Sequence, residues 1–370
     1  EAHEDEPLGW DQAECVRLSP AECPRRRCPV LSSVGSSVRH FRCACRTLIT
    51  REFALNTPLI NRRAALRTGL AGAFSLPIAS RAADEPSPTI GRTPTIGIAT
   101  FGFPKLSNAE LARELADAGI STIQLFLSQT DSNFWRYNGR SDLSGLTAER
   151  CREIAETYRK AGVSIHSLGV YTNLIHPDPV ERKANLAYFE DMMIVGRHMG
   201  VRTSITEAGH HQPEKPQAVE YHFQQSVWEQ MVATGKELAE LAERHDSVVL
   251  LEPFFRGFLA SAKRTRLFLE AVGSRHLRAL LDPANLLEVN DLDEMFDQLG
   301  DHIDCLHAKD RKLHVDRGVP AGQGDLDYVR FARLAAKRTP HAPFILEYVG
   351  PENYREAREH LREALRRARD

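Results

Sequence analysis

Four ionisable residues in the second half of the chain each follow a short apolar run. They stand in Leu250-Leu251-Glu252-Pro253, Leu280-Leu281-Asp282-Pro283, Cys305-Leu306-His307-Ala308 and Ile345-Leu346-Glu347-Tyr348. If the apolar runs are neighbouring parallel strands, their carboxyl ends converge at one edge. Three converging carboxylates repel each other unless a cation compensates them. The set therefore predicts a divalent metal site, and three carboxylates with one imidazole suit Mn²⁺ first, then Mg²⁺, Co²⁺ or Zn²⁺.

The rest of the sequence indicates how these residues are positioned. After residue 94, short apolar runs rich in β-branched residues alternate with longer amphipathic segments. The eight predicted strands are 95–100, 122–126, 164–169, 203–206, 248–252, 278–282, 303–307 and 343–347. The predicted helices are 108–118, 147–161, 179–199, 224–245, 262–272, 292–299, 327–337 and 352–367. Eight β-then-α units over about 275 residues predict an α/β (β/α)8 barrel, a TIM barrel.

An open, doubly wound sheet is the competing architecture for alternating strands and helices. Such sheets commonly carry a glycine-rich phosphate loop after the first strand. Here that loop reads Phe101-Gly102-Phe103-Pro104-Lys105, which lacks the dinucleotide pattern. The closed barrel is therefore favoured.

Further polar residues lie at or near the predicted strand ends. Candidates for substrate binding are His166, Glu207, His210, Lys309 and Asp310. Each also has a structural interpretation: a hydrogen-bonded core histidine for His166, a polar rim for Glu207 and His210, and a loop salt bridge for Lys309 with Asp310. The long segment 128–145 contains Phe134, Trp135 and Tyr137, which suits a sugar-stacking lid or an ordinary packed loop.

Several of these motifs together resemble a known family. The segments Leu251-Glu252-Pro253, Leu281-Asp282-Pro283-Ala284-Asn285-Leu286, Leu306-His307-Ala308-Lys309-Asp310, Gly322-Gln323-Gly324-Asp325 and Leu346-Glu347-Tyr348 are similar to those of the sugar phosphate isomerase/epimerase family, the xylose isomerase-like barrels. The resemblance covers roughly residues 95–370.

The resemblance implies both a ligand set and a reaction. Glu252, Asp282, His307 and Glu347 would hold the metal, and Glu252 and Glu347 would also be the catalytic acid/base pair. The implied enzyme is a metal-dependent isomerase or epimerase of a sugar, sugar phosphate or related polyol, which transfers a proton through an enediolate. One departure concerns Asn285, a further substrate-binding candidate, because ketose epimerases of this family tend to carry a histidine there. An asparagine donates hydrogen bonds but does not shuttle protons at neutral pH.

Alternative functions remain open within the same architecture. An inosose-type dehydratase would share the metal site but eliminate water, and a sugar-binding module would need no convergent carboxylates. An endonuclease IV-like phosphodiesterase is disfavoured because it would need more histidines at the strand ends and a basic groove. Residues 94–370 carry 35 basic and 40 acidic side chains, so no nucleic-acid partner is expected. The expected partner is a small sugar or polyol, and the sequence leaves a homo-oligomer open.

The first 94 residues differ in composition from the barrel. Residues 1–58 are predicted to be an unstructured extension, produced by a misplaced start, and residues 84–94 a linker rich in proline and serine. Between them, segment 59–83 resembles a twin-arginine export signal, with Arg62-Arg63, an apolar stretch and small residues near Ala82. The segment predicts an exported, periplasmic protein; without it the protein would be cytoplasmic. No apolar run is long enough for a stable membrane anchor.

Overall fold

The computed structural model describes residues 94–216, 218–315 and 318–370. The predicted extension 1–58, the signal-like segment 59–83 and the linker up to residue 93 lie outside the described residues. Among the described residues, no helix combines the length and the apolar character that crossing a membrane requires.

Nine strands are present in the described part of the chain. They are β1 (Ile96–Ala99), β2 (Thr122–Leu125), β3 (Ser164–Gly169), β4 (Thr203–Thr206), β5 (Val248–Leu251), β6 (Leu277–Leu281), β7 (Ile303–Asp310), β8 (Val319–Pro320) and β9 (Phe344–Leu346). All except β8 pair in parallel, in the order β6-β5-β4-β3-β2-β1-β9-β7, and β7 pairs back to β6. The predicted closed barrel of eight parallel strands is therefore confirmed. The two-residue strand β8 pairs antiparallel with the end of β7 and extends that strand beyond the barrel.

Over the described ranges of the chain, eight α-helices alternate with the barrel strands. They are α1 (Asn108–Asp117), α2 (Ala148–Lys160), α3 (Pro179–Met199), α4 (Gln225–Arg244), α5 (Ala262–Val272), α6 (Leu292–Leu299), α7 (Tyr328–Arg338) and α8 (Tyr354–Arg367). Each predicted helix is present with ends within two residues of the prediction.

Local sequence signals set the helix ends. Helix α1 begins at a capping box, in which Ser107 and Glu110 each bind the other's backbone N–H. Asp178 caps α3, with Pro179 as its first residue. Gly200 ends the same helix with φ 76°, a conformation that costs a side-chain-bearing residue more than glycine. Each helix therefore stops where the next strand must begin.

Apolar side chains pack on both faces of the barrel strands. Larger apolar residues of the outer strand faces pack against the helices, as Leu251 and Leu281 do. The inner layer contains Ala99, Phe126, Tyr171, Ile205, Leu250, Leu280, Cys305 and Ile345. Because strand side chains alternate between faces, the residue two positions after an inward-facing residue also faces inward, one layer nearer the mouth. This alternation positions the candidate site.

Candidate metal centre

The four predicted metal ligands occupy equivalent positions on four neighbouring strands. Glu252, Asp282, His307 and Glu347 each stand two residues after an inward-facing residue of the inner layer. Glu252, Asp282 and Glu347 directly follow β5, β6 and β9, whereas His307 lies within the longer β7. One ligand atom from each of the four lies within 4.8 Å of the corresponding atom of every other. The structure thus brings the four residues together at the carboxyl end of the barrel.

His307 is oriented by a residue of β2. Its Nε2 lies 2.7 Å from Oε1 of Gln124, so the Nε2–H donates, and in the neutral ring Nδ1 carries the lone pair. That Nδ1 is buried and, within the described residues, has no hydrogen-bond partner. It lies 3.4 Å from Oε1 of Glu252 and 3.5 Å from Oε2 of Glu347. A second group that fixes the tautomer is the usual support of a metal-binding histidine.

Glu252 is held by two neutral donors. Tyr171 O–H donates to its Oε2 over 2.9 Å, and Asn285 Nδ2 donates to its Oε1 over 2.8 Å. Both donors are buried, so the carboxylate has one defined orientation. Asn285, a predicted substrate-binding residue, therefore contacts a predicted ligand directly.

Glu347 and Asp282 instead share a cation. The Nζ of Lys309 lies 2.8 Å from Oε2 of Glu347 and 2.9 Å from Oδ2 of Asp282. The ammonium also lies 4.5 Å from the ring centroid of Tyr348, and the Tyr328 O–H donates to the Lys309 carbonyl. Lys309, another predicted substrate-binding residue, is only 4% exposed. Among the described residues, the ion pairs of its ammonium go to the carboxylates of Asp282 and Glu347.

The electrostatics of the cluster follow from burial and mutual charge. Burial disfavours the charged form of Glu347, but Lys309 and His307 outweigh burial and hold the pKa of this carboxyl below its usual range. Burial likewise disfavours a charged His307, yet Glu347 and Glu252 raise the pKa of its imidazole. Burial raises the pKa of Asp282 to about 6, against the opposing effect of Lys309. The three buried carboxylates thus favour the positively charged forms of the basic groups beside them.

The donor set fits a divalent cation. A metal ion with ligands at about 2.1 Å has opposite ligands roughly 4.2 Å apart, so the observed separations need only a small contraction. The unpartnered His307 Nδ1 faces two carboxylates that repel each other, which is the arrangement a cation would stabilise. Oxygen ligands with a single imidazole are typical of Mn²⁺ or Mg²⁺ rather than of a thiolate-rich zinc site.

Glu207 stands beside this cluster. Thr206 pairs with Leu251 in the β4–β5 register, so Glu207 and Glu252 follow adjacent strands side by side. The O–H of Tyr137 donates to Oε2 of Glu207 over 2.8 Å. Burial raises the pKa of Glu207 to about 8, with a further contribution from Glu252. This predicted substrate-binding residue therefore lies at the mouth of the barrel.

The other three predicted residues have different surroundings. His210 is anchored through its backbone to Asn173, and its ring nitrogens are buried with no hydrogen-bond partner among the described residues. The Asp310 carboxylate accepts from the backbone N–H groups of Arg311, Gly322 and Leu326, which fixes the loop after β7. His166 is the third residue of β3, and its Nδ1 lies 3.2 Å from Ser167 Oγ. The described contacts of Asp310 and His166 do not include the four ligands.

Sequence reasoning missed Tyr171 and Gln124, and it named Tyr137 only within the segment that suits a sugar-stacking lid or a packed loop. Tyr171 faces inward because the alternation of β3 continues past its last paired residue, Gly169. Gln124 is a long polar residue between the apolar Ile123 and Leu125 of β2, a signal that was available from the sequence. Tyr137 contacts Glu207 from a separate loop, 70 positions away in the chain, and no local sequence pattern predicts that contact.

Comparisons with known proteins agree with the observed fold. The family model described as xylose isomerase-like TIM barrel matches residues 112–364. No curated protein matches the sequence. A D-tagatose 3-epimerase-like protein superposes with a TM-score of 0.62 at 15% identity, over 74% of this chain and 98% of its own.

Two further solved structures are similar to the barrel at the level of the fold. D-psicose 3-epimerase from Clostridium cellulolyticum H10, solved with D-tagatose, has a TM-score of 0.55 at 16% identity, over 74% of this chain and 98% of its own. The probable 3-DHS dehydratase of petrobactin synthesis from Bacillus anthracis has a TM-score of 0.59 at 17% identity, over 72% of this chain and 97% of its own.

Proposed function

Because the chain belongs to the xylose isomerase-like TIM barrel family, we propose that it is a divalent-metal-dependent isomerase or epimerase of a sugar or related polyol. The observation that carries the proposal is the buried cluster of Glu252, Asp282, His307 and Glu347, in which Nδ1 of His307 faces two carboxylates and has no hydrogen-bond partner among the described residues. Solved structures of similar fold include epimerases of free ketohexoses, which supports the choice of substrate class.

The ligand residues divide the work in the proposed reaction. A divalent cation held there would polarise a substrate carbonyl and the neighbouring hydroxyl, which makes the adjoining C–H more acidic. Glu252 and Glu347 follow strands that are separated around the barrel, so their carboxylates approach a bound substrate from different sides. One carboxylate removes the carbon-bound proton. A proton delivered to the neighbouring carbon of the enediolate gives the isomer, and a proton returned to the same carbon from the opposite side gives the epimer.

Surrounding residues prepare the carboxylates for this chemistry. Tyr171 and Asn285 hold Glu252, and Lys309 holds Glu347 together with Asp282. Gln124 keeps the His307 tautomer that leaves Nδ1 free for a cation. We assign Glu207 and His210 to the substrate side of the mouth, because neither contacts the ligand set directly. Mn²⁺ is the proposed metal.

Dehydration of a hydroxy ketone is the second candidate. Asn285 stands where ketose epimerases of this family tend to have a histidine, and its amide is committed to Glu252. A barrel of similar fold is a probable dehydratase. Elimination would begin with the same proton removal, and the β-hydroxyl would then leave as water.

The decisive experiment follows the carbon-bound proton. Metal content is measured on the purified protein, and the Mn²⁺-loaded protein is incubated in D₂O with a panel of ketoses, aldoses and inososes. Incorporation of deuterium at a carbon next to the carbonyl, abolished by metal removal, supports the proposal, and the product distinguishes isomerisation from dehydration. A protein that binds no divalent metal at micromolar concentration would contradict it.

A further inference from the structure

The mouth of the barrel has two chemically different sides. The inward-facing residues at the ends of β5, β6, β7 and β9 are the four proposed ligands. The corresponding residues near the ends of β1, β2 and β3 are Phe101, Phe126 and Tyr171. These rings form one continuous wall: Phe101 and Phe126 lie 5.0 Å apart, and Phe126 stacks on Tyr171 at 5.6 Å between centroids. A substrate held by the ligand side therefore lies against aromatic rings on the other side.

Glu207 stands at the boundary between the two sides. It follows β4, the strand between the aromatic β3 and the acidic β5. The loop after β2 brings Tyr137 over the mouth, where its ring lies 6.1 Å from that of Tyr171 and its O–H donates to Glu207 Oε2. In the described part of the chain, the second oxygen, Oε1, has no hydrogen-bond partner, and the residue is partly exposed. One carboxyl oxygen is thus fixed by Tyr137, and the other has no donor among the described residues.

The charge around Glu207 restricts what this oxygen can bind. Glu252 is its lateral neighbour, and within the described residues no lysine or arginine side chain donates to Glu207. The nearby ammonium of Lys309 is already shared by Glu347 and Asp282. A phosphate or carboxylate placed here would meet acidic oxygens and aromatic faces without a compensating cation.

We propose that Glu207 and Tyr137 form a subsite that binds a hydroxyl group of an uncharged polyol, beside the carbons that the proposed metal would hold. The inference rests on the proposed function and narrows its substrate class: free ketoses and inososes are accepted, and compounds with a phosphate at the position of that hydroxyl are rejected. Glu207 is then a specificity-determining residue. It does not take part in the proton transfer.

The test compares two substitutions of Glu207 with a control on the same loop. Glu207→Gln keeps a donor and an acceptor of the same shape, and Glu207→Leu removes both. The control, Glu214→Leu, changes an exposed glutamate further along the loop after β4. Each protein is loaded with Mn²⁺, and the panel comprises uncharged ketoses and inososes beside their phosphorylated forms. Substrate binding is measured by calorimetry, and proton exchange is measured by deuterium incorporation in D₂O. The Mn²⁺ affinity of each variant is determined separately.

We expect the uncharged members alone to bind and exchange in the unchanged protein. Glu207→Leu should weaken their binding about 10-fold or more, the scale of one lost hydrogen bond to a ligand, with unchanged Mn²⁺ affinity. Glu207→Gln and Glu214→Leu should stay within about threefold of the unchanged protein. Stronger binding of phosphorylated members, or no effect of Glu207→Leu, would overturn the subsite while leaving the proposed function intact. Absence of exchange with every panel member, with Mn²⁺ bound, would refute the proposed function itself.

Discussion

The ammonium of Lys309 lies 2.8 Å from Oε2 of Glu347, so a lysine two residues after His307 is paired with another proposed metal ligand. Glu252, at the equivalent position of β5, is held instead by the neutral donors Tyr171 and Asn285. The two glutamates of the site therefore have unequal surroundings: a cation contacts one, and uncharged groups contact the other. Any role assigned to the pair must allow for this asymmetry.

Removing the lysine should destabilise the metal-free protein. In Lys309→Met, Asp282 and Glu347 lose their shared cation while remaining buried. Loss of one partner from a buried pair costs on the order of 3 kcal/mol, because the remaining charge is left without compensation. We expect the melting temperature without metal to fall by several degrees. The rise in melting temperature on adding Mn²⁺ should exceed that of the unchanged protein. Thermal unfolding with and without the ion measures both.

The matched control for this prediction is Lys312→Met, which changes an exposed lysine on the loop after β7. It should leave both melting temperatures within about 1 °C, as surface substitutions usually do. Equal stability of Lys309→Met and Lys312→Met without metal would show that the ammonium does not compensate the cluster.

Tyr171→Phe should show that the orientation of the Glu252 carboxylate affects the rate of proton exchange more than it affects Mn²⁺ binding. The substitution removes one hydrogen bond of 2.9 Å to Oε2 and keeps the ring in the aromatic wall. Since Asn285 still holds Oε1, we expect Mn²⁺ affinity within a few-fold of the unchanged value and a loss of about 10-fold in the rate of proton exchange.

Tyr158→Phe is the control for Tyr171→Phe. Tyr158 is also a buried tyrosine, but it lies on α2 and donates to Asn108 Oδ1. Tyr158→Phe should lower the free energy of unfolding by about 1 kcal/mol without changing the rate of proton exchange at saturating Mn²⁺. A Tyr171→Phe protein with the exchange rate of Tyr158→Phe would show that Tyr171 does not position the carboxylate.

The barrel and the convergence of the four proposed ligands could be predicted from sequence because two simple periodicities specify them. Alternating strands and helices repeat eight times, and each ligand stands next to an apolar run at a strand end. The carboxyl ends of parallel barrel strands meet at one mouth, so positions far apart in sequence converge without any knowledge of side-chain contacts. Local sequence therefore sufficed for Glu252, Asp282, His307 and Glu347.

The supporting contacts could not be predicted in the same way. Whether Lys309 pairs with Glu347 or points into solvent depends on the register between β7 and β9 and on the side-chain conformation. Asp310 follows it directly, yet its carboxylate binds the backbone of the next loop, because β7 continues to this residue and pairs with β8. Tyr137 depends on the path of a long loop. These contacts are set by tertiary packing, which leaves no periodic signal in the chain.

A buried histidine outside the site should make stability depend on pH. His222 is 1% exposed, its Nε2 accepts from the backbone N–H of His211, and burial, with His210 and His211 nearby, lowers the pKa of His222 to about 4. The unfolded chain, with a pKa near 6.5, binds this proton more readily, so stability rises with pH between about 4 and 6.5 and is lost as the pH falls through that range. In His222→Gln, the slope of unfolding free energy against pH near 5 should decrease by about 1 kcal/mol per unit. An unchanged slope in urea titrations would contradict this assignment.

The last prediction concerns the division of labour among the four proposed ligands. Glu252→Gln and Glu347→Gln keep an oxygen ligand but remove the proton acceptor, whereas Asp282→Ala and His307→Ala delete a ligand entirely. We expect both glutamine variants to retain appreciable Mn²⁺ and to lose on the order of 10²-fold or more in exchange rate, the usual scale for a lost general base. Asp282→Ala and His307→Ala should lose metal and exchange together, with partial recovery in excess Mn²⁺. Metal titration of the four variants beside their deuterium incorporation distinguishes the two classes. Because Lys309 is paired with Glu347 but not with Glu252, the critical variant is Glu347→Gln: near-normal exchange in that protein would show that Glu347 serves the metal alone, and that the proton is removed and returned from the side of Glu252.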